Sequence, residues 1–225
     1  MRSERRKTQK RLLDNGVGHN EVMERTPQAV YDELKAGNQR FAREEWSHPH
    51  RDEVRREAMT KGQNPPVVVL ACSDSRVPVE LIFDQGLGDI FVIRTAGEIL
   101  DEAVQGSLEF AVDSLGCPLL VVLGHEKCGA VAATRAALSG GPIPSGYQSA
   151  LVQKVAPSIL KAQAEGKNET ADFEKAHVVN TVENILMRSP HMRTKIEEGT
   201  LGVVGMRYRL SDCRVEELLA LGVEA

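Results

Sequence analysis

Two short stretches of the 225-residue chain gather side chains able to do chemistry. In VVVLACSDSRVP, residues 67–78, an apolar run ends in a thiol, a carboxylate and a guanidinium: Cys72, Asp74 and Arg76. In HEKC, residues 125–128, a histidine and a cysteine directly follow the apolar run LLVVLG. Each stretch alone is a weak signal, because a buried cysteine commonly acts as a small hydrophobe. Together they offer two thiolates and one imidazole. A Cys₂His set leaves a fourth coordination position open, as in catalytic zinc sites, and thiolates favour zinc over magnesium or calcium. A redox pair is the rival reading, but the chain has no C-x-x-C. For Asp74 and Arg76 the bland reading is a surface ion pair, worth little. The sharper one makes Arg76 the group that holds Asp74 ionised. Asp74 then accepts a hydrogen bond from zinc-bound water, whose pKa the metal lowers to about 7. The product would be a metal hydroxide aimed at a small electrophile.

Such residues must be brought together by elements far apart in the chain. PVVVLAC (66–72), FVIR (91–94) and PLLVVLG (118–124) are apolar runs, the first and third near-continuous and suited to strands covered on both faces. TLGVVGMRY (200–208) repeats the pattern more weakly. Thr26-Pro27 reads as a cap and first turn opening a helix to about Trp46, which packs that helix, and a polar helix covers Arg51 to Lys61. In LDEAVQGSLEFAVDSLG, Val104, Leu108, Ala111, Val112 and Leu115 share one helical face. CGAVAATRAAL makes a small-residue helix, GGPIPSG (140–146) a loop, and two further helices span about 148–164 and 170–188. Strands alternating with helices predict an α/β fold: a mostly parallel sheet flanked by helices, with an N-terminal helical arm. Chemistry in such sheets gathers beyond the carboxyl ends of the strands, where Cys72 and His125 both fall.

Composition sets outer bounds. Net charge is −4, 41% of residues are hydrophobic and 4% aromatic, which gives no bulk signal for nucleic acid. No segment approaches the roughly 18 apolar residues of a membrane helix. The basic start, MRSERRKTQKRLLDNG, lacks the apolar region of a secretory signal, so a cytoplasmic location is expected. Residues 1–25 read as a basic, flexible arm and 26–225 as a single zinc-binding catalytic domain. His19, His48, His50, His177 and His191 stand in no motif, and Cys117 and Cys213 read as packing residues.

CSDSR (72–76) followed by GHEKCGAV (124–131) resembles the β-class carbonic anhydrases, and the likeness runs from about Leu34 to about Leu210. The resemblance implies that Cys72, His125 and Cys128 bind Zn²⁺ and that Asp74 and Arg76 form the dyad beside it, with Asp74 a possible fourth ligand in a closed form. It implies that the Gln63 amide and the Gly129 backbone N–H contact substrate. Phe91, Ala96 and Phe110 then shape the pocket, Phe110 standing where many relatives have tyrosine. The reaction implied is reversible hydration of CO₂ to bicarbonate by zinc-bound hydroxide, in a pocket built across a homodimer or homotetramer interface. Alternatives are CS₂ or COS hydrolysis on the same scaffold, or a non-catalytic zinc domain docking to an assembly. The chain departs from the family's usual Arg-Asn-Ala-Gly-Asn at RTAGE (94–98), through Thr95 and Glu98. Relatives regulated by bicarbonate carry tryptophan where this chain has Val69, although Arg94 and Tyr208 match the rest of that clamp.

Overall fold

The computed structural model describes residues 25–224. The expected arm, residues 1–25, therefore lies almost wholly outside the described residues. A five-stranded sheet has the order β2-β1-β3-β4-β5. Its strands are β1 (Val67–Cys72), β2 (Ile90–Thr95), β3 (Leu119–His125), β4 (Gly202–Tyr208) and β5 (Val215–Leu221). The first four run parallel, and β5 is antiparallel to β4.

Both faces of the central strands are covered, which explains their unbroken apolar runs. On one face Val68, Leu70, Leu120, Val122 and Val203 pack against α4 (Glu102–Glu109) and α7 (Thr170–Arg188). On the other, Val67, Val69, Ala71, Val121 and Leu123 meet Val30, Tyr31 and Leu34 of α1 (Pro27–Ala42) and the short α3 (Val79–Ile82). Each fully buried Val or Leu contributes about 1.5–3 kcal/mol. A third cluster lies beyond the sheet's carboxyl edge. There Cys72 and Cys128 pack with Val131 of α5 (Gly129–Leu138), Val155 and Ile159 of α6 (Gln148–Ala164), and Phe173 of α7.

The sequence expectations hold for four strands and for α6 and α7. Four details differ. The first helix stops at Ala42, and Trp46 lies beyond it at 44% exposure, tilted against Phe41 at 6.4 Å. The polar helix α2 is shorter, Glu53–Met59, because the Asp52 carboxylate caps it by accepting from the Arg55 amide. The helix after β2 changes to π-helical winding over Phe110–Ser114. Finally, α8 (Pro190–Glu197) and β5 had no sequence expectation. VEELLAL in β5 is built from helix formers, yet pairing with β4 makes it a strand.

Candidate metal centre

The chain leaves β1 toward β2 on one side and reaches β3 on the other, so the sheet order reverses between β1 and β3. Open α/β sheets bind ligands at such a point. Cys72 is the last residue of β1 and His125 the last of β3. Cys128 is the N-cap of α5, reached through a tight loop in which Lys127 takes a left-handed φ of 57°. One ligand atom from each of Cys72, His125 and Cys128 lies within 4.8 Å of the others, and all three residues are buried.

The donors are arranged for a cation. The His125 Nδ1–H donates to its neighbour's carbonyl, Glu126 O, at 2.8 Å. That fixes the tautomer and turns the Nε2 lone pair toward the cysteines, where Nε2 is buried with no hydrogen-bond partner. Cys72 Sγ accepts the Gly97 N–H at 3.2 Å. The neighbouring Cys128 thiol, helped by His125 and the Gly97 amide, holds Cys72 down as thiolate. Proximity to Cys72, together with burial, pushes the Cys128 thiol up. Burial alone would lower the His125 pKa, but the neighbouring Cys72 outweighs it and raises it. An orphaned imidazole nitrogen facing a thiolate and a second thiol fits zinc, the cofactor of this family (below).

Asp74 stands at the edge of the cluster, with Oδ2 at 3.9 Å from His125 Nε2. Arg76 grips it: Nε donates to Oδ1 at 2.9 Å, Nη2 to Oδ2 at 2.8 Å, and the Arg76 backbone N–H also to Oδ1 at 2.9 Å. These bonds, the side-chain ones foremost, hold the Asp74 carboxyl well below the usual carboxylate range. Arg94 anchors the backbone underneath, donating to Cys72 O from Nε at 3.0 Å and from Nη2 at 2.8 Å, and to Asp74 O at 2.7 Å. Glu174 of α7 secures the other side. It accepts the Lys127 N–H at 2.7 Å and the Arg207 guanidinium at 2.9 and 2.7 Å.

A cavity of about 400 Å³ opens beside the cluster, lined by Cys72, Asp74, Ala96, Gly129 and Ala130 among others. A Cβ at Gly129 would meet nothing within 4 Å, so the cavity wall there is bare backbone. Gly97 is different: its φ is +71°, and a Cβ would lie 2.6 Å from the Cβ of Ala130. Here Gly97 lets the loop after β2 press against α5 while its amide reaches Cys72.

Of the residues singled out in the sequence, the fold brings Cys72, His125, Cys128, Asp74, Arg76, Ala96 and Gly129 together. Gln63, Phe91 and Phe110 do not line this cavity. Gln63 is exposed. The Phe91 and Phe110 rings pack on each other at 6.1 Å, and Phe110 is 46% exposed. Among the unassigned histidines, His177 is buried in the third cluster's surroundings, whereas His50 and His191 pair with Asp89 and Asp113. Gly97, Glu174 and His177 were missed because no local motif marks them. Arg94 was noted only as part of the bicarbonate clamp, yet here it holds the end of β1.

Fold and cluster define a class: an α/β protein with a Cys₂His centre at its switch point and an aspartate–arginine pair beside it. The family model described as carbonic anhydrase matches residues 67–215. The chain is 47% identical over 196 residues to a carbonic anhydrase of Mycolicibacterium smegmatis, covering 87% of this chain and 95% of that one. It is 46% identical over 188 residues to carbonic anhydrase 2 of Mycobacterium tuberculosis, covering 84% and 91% respectively. Among solved structures, the β-carbonic anhydrase CcaA is similar at TM-score 0.62 and 26% identity, over 83% of this chain and 86% of that chain. A tetrameric β-carbonic anhydrase from Sordaria macrospora gives TM-score 0.64 and 26% identity, over 84% and 97%. The chain belongs to the β-class carbonic anhydrases, a family of zinc enzymes.

Proposed function

We propose that reversible hydration of CO₂ to bicarbonate and a proton takes place in the cavity beside Cys72, with Cys72, His125 and Cys128 as the zinc ligands. The observation that carries this reading is the buried, unpartnered His125 Nε2 facing Cys72 and Cys128, with Asp74 restrained beside it. Zinc held there supplies Lewis acidity and activates water at neutral pH. The chain supplies the rest. Asp74, kept ionised and turned onto Arg76, offers a fixed acceptor for a proton at the cavity edge and is kept off the metal. The Gly129 N–H lies in the first turn of α5, where amides lack an intrahelical acceptor, and suits a substrate oxygen. Ala96 and Ala130 give the cavity small apolar walls that fit a small apolar substrate.

Gln63, Phe91 and Phe110 are assigned to the substrate pocket through a second subunit. Gln63 and Phe110 are exposed in the single chain, which supports a homodimer or homotetramer in which they face a partner's cavity. The Sordaria macrospora relative is described as tetrameric. We assign the chain to the cytoplasm and residues 26–225 to a single catalytic domain. No described helix is long and apolar enough to cross a membrane. Stopped-flow CO₂ hydration on the purified protein, with CS₂ and COS offered in parallel, tests the reading. CO₂ turnover is expected. Turnover of CS₂ or COS without CO₂ hydration would replace the reading, and no turnover of any would leave a zinc-binding protein without this activity.

A further inference from the structure

A second cavity, of about 210 Å³, lies away from the metal centre between α6 and α7. Lys154 and Arg188 stand at its rim, and among the described residues neither has an ion-pair partner. No carboxylate lines it. Its wall carries the amides of Gln153, Asn180 and Asn184. Its floor holds Thr181, which is 3% exposed.

The remaining floor residue, His177, is fixed and uncharged. Its Nε2–H donates to Gly97 O at 2.7 Å, so Nδ1 accepts from the Ser158 hydroxyl at 3.0 Å, and Ser158 Oγ in turn accepts from Asn180 Nδ2 at 3.0 Å. Burial lowers the His177 pKa, leaving the ring neutral. Asn184 Nδ2 donates to Asn180 O at 2.8 Å, so both asparagine amides are oriented and each keeps one N–H uncommitted. The cavity therefore combines two cations without ion-pair partners among the described residues, oriented N–H donors and the Thr181 side chain, with no carboxylate in its lining.

We propose that this cavity binds a phosphate group. Two cations match a dianion, and amide and hydroxyl donors match its several acceptor oxygens. Ile99 and Leu100 at one end would accommodate an organic substituent. The source is free phosphate or a small phosphomonoester.

The test is calorimetric titration of the full-length, zinc-loaded protein with inorganic phosphate, and separately with glycerol phosphate. One saturable site is expected. The Lys154→Ala/Arg188→Ala double variant should bind at least tenfold more weakly, with zinc content and melting temperature unchanged because both side chains lie on the surface. Thr181→Val, nearly isosteric, should weaken binding severalfold. Tighter binding of glycerol phosphate identifies a phosphomonoester ligand; tighter binding of inorganic phosphate identifies the free ion. Unchanged affinity in the double variant would place the anion elsewhere, at the metal for instance, and would overturn the proposal. So would the absence of saturable binding to the wild-type protein. The readout is binding, so it stands apart from CO₂ turnover.

Discussion

Arg76 holds Asp74 by three hydrogen bonds, two from its guanidinium at 2.9 and 2.8 Å and one from its own backbone amide at 2.9 Å. Asp74 Oδ2 nevertheless lies only 3.9 Å from His125 Nε2. The carboxylate is thus within a small rotation of the metal centre and is kept from it by Arg76. Arg76→Ala would free it to compete for a zinc held by Cys72, His125 and Cys128. Turnover should fall by about 100-fold or more, the order of loss expected when a reacting group is misplaced by about 1 Å. Zinc content should stay at the wild-type level. Metal analysis beside stopped-flow rates checks this, and an Arg76→Ala variant with full activity would contradict it.

His177 supports the Cys72 thiolate indirectly. Its Nε2–H secures Gly97 O, and the Gly97 amide donates to Cys72 Sγ. Replacement by leucine leaves that carbonyl without its donor and loosens the loop that supports the thiolate. Zinc affinity should fall about 10-fold, the lower end of effects seen for partners of metal ligands. Competition with a chelator measures it. The loss should exceed that of His191→Leu, whose ring pairs with Asp113 on the surface.

The Cys72–His125–Cys128 cluster was legible because its members come in two compact motifs, each at the end of an apolar run. The groups that hold the cluster were not, since their contacts are long-range. Arg94 reaches Cys72 across 22 positions, and His177 reaches Gly97 across 80. Neither residue sits in a local pattern that announces such a partner. β5 was illegible for another reason: Glu216, Glu217, Leu218 and Leu219 favour helix, and only the exposed edge of β4 imposes the extended form. The covering of β1 and β3 on both faces, by contrast, follows from their continuous Val and Leu runs.

Acid should unfold the protein partly through Asp84. Its side chain is fully buried and accepts from Arg40 Nε at 2.7 Å, the Ser47 amide at 2.9 Å, Ser47 Oγ at 2.8 Å and the His48 amide at 3.1 Å. Burial would raise its pKa, but the Arg40 and Ser47 bonds outweigh it and lower the value from 3.8 to about 2. A depressed folded-state pKa stabilises the fold above the unfolded value and stops doing so as pH falls through the folded one. The contribution, on the order of 2 kcal/mol, should therefore be complete above pH 4 and fade toward pH 2. Asp84→Asn should lower stability at pH 7 and flatten its dependence between pH 4 and 2, as read from denaturant melts. An unaltered slope there would count against it.

Phe110 is 46% exposed and packs on Phe91 of edge strand β2. If this aromatic pair meets a second subunit, Phe110→Asp should shift the protein toward monomer and reduce turnover together. Light scattering at assay concentration reads the assembly. A fully active monomer would contradict the shared pocket.

The central claim is that Cys72, His125 and Cys128 hold the zinc that CO₂ hydration requires. Zinc content and stopped-flow CO₂ hydration, measured on the same preparations of the wild-type protein, Cys128→Ser and Cys213→Ser, test it most directly. About one zinc per chain and full activity are predicted for the wild type and for Cys213→Ser, with both lost in Cys128→Ser. Zinc and turnover retained in Cys128→Ser would contradict the account.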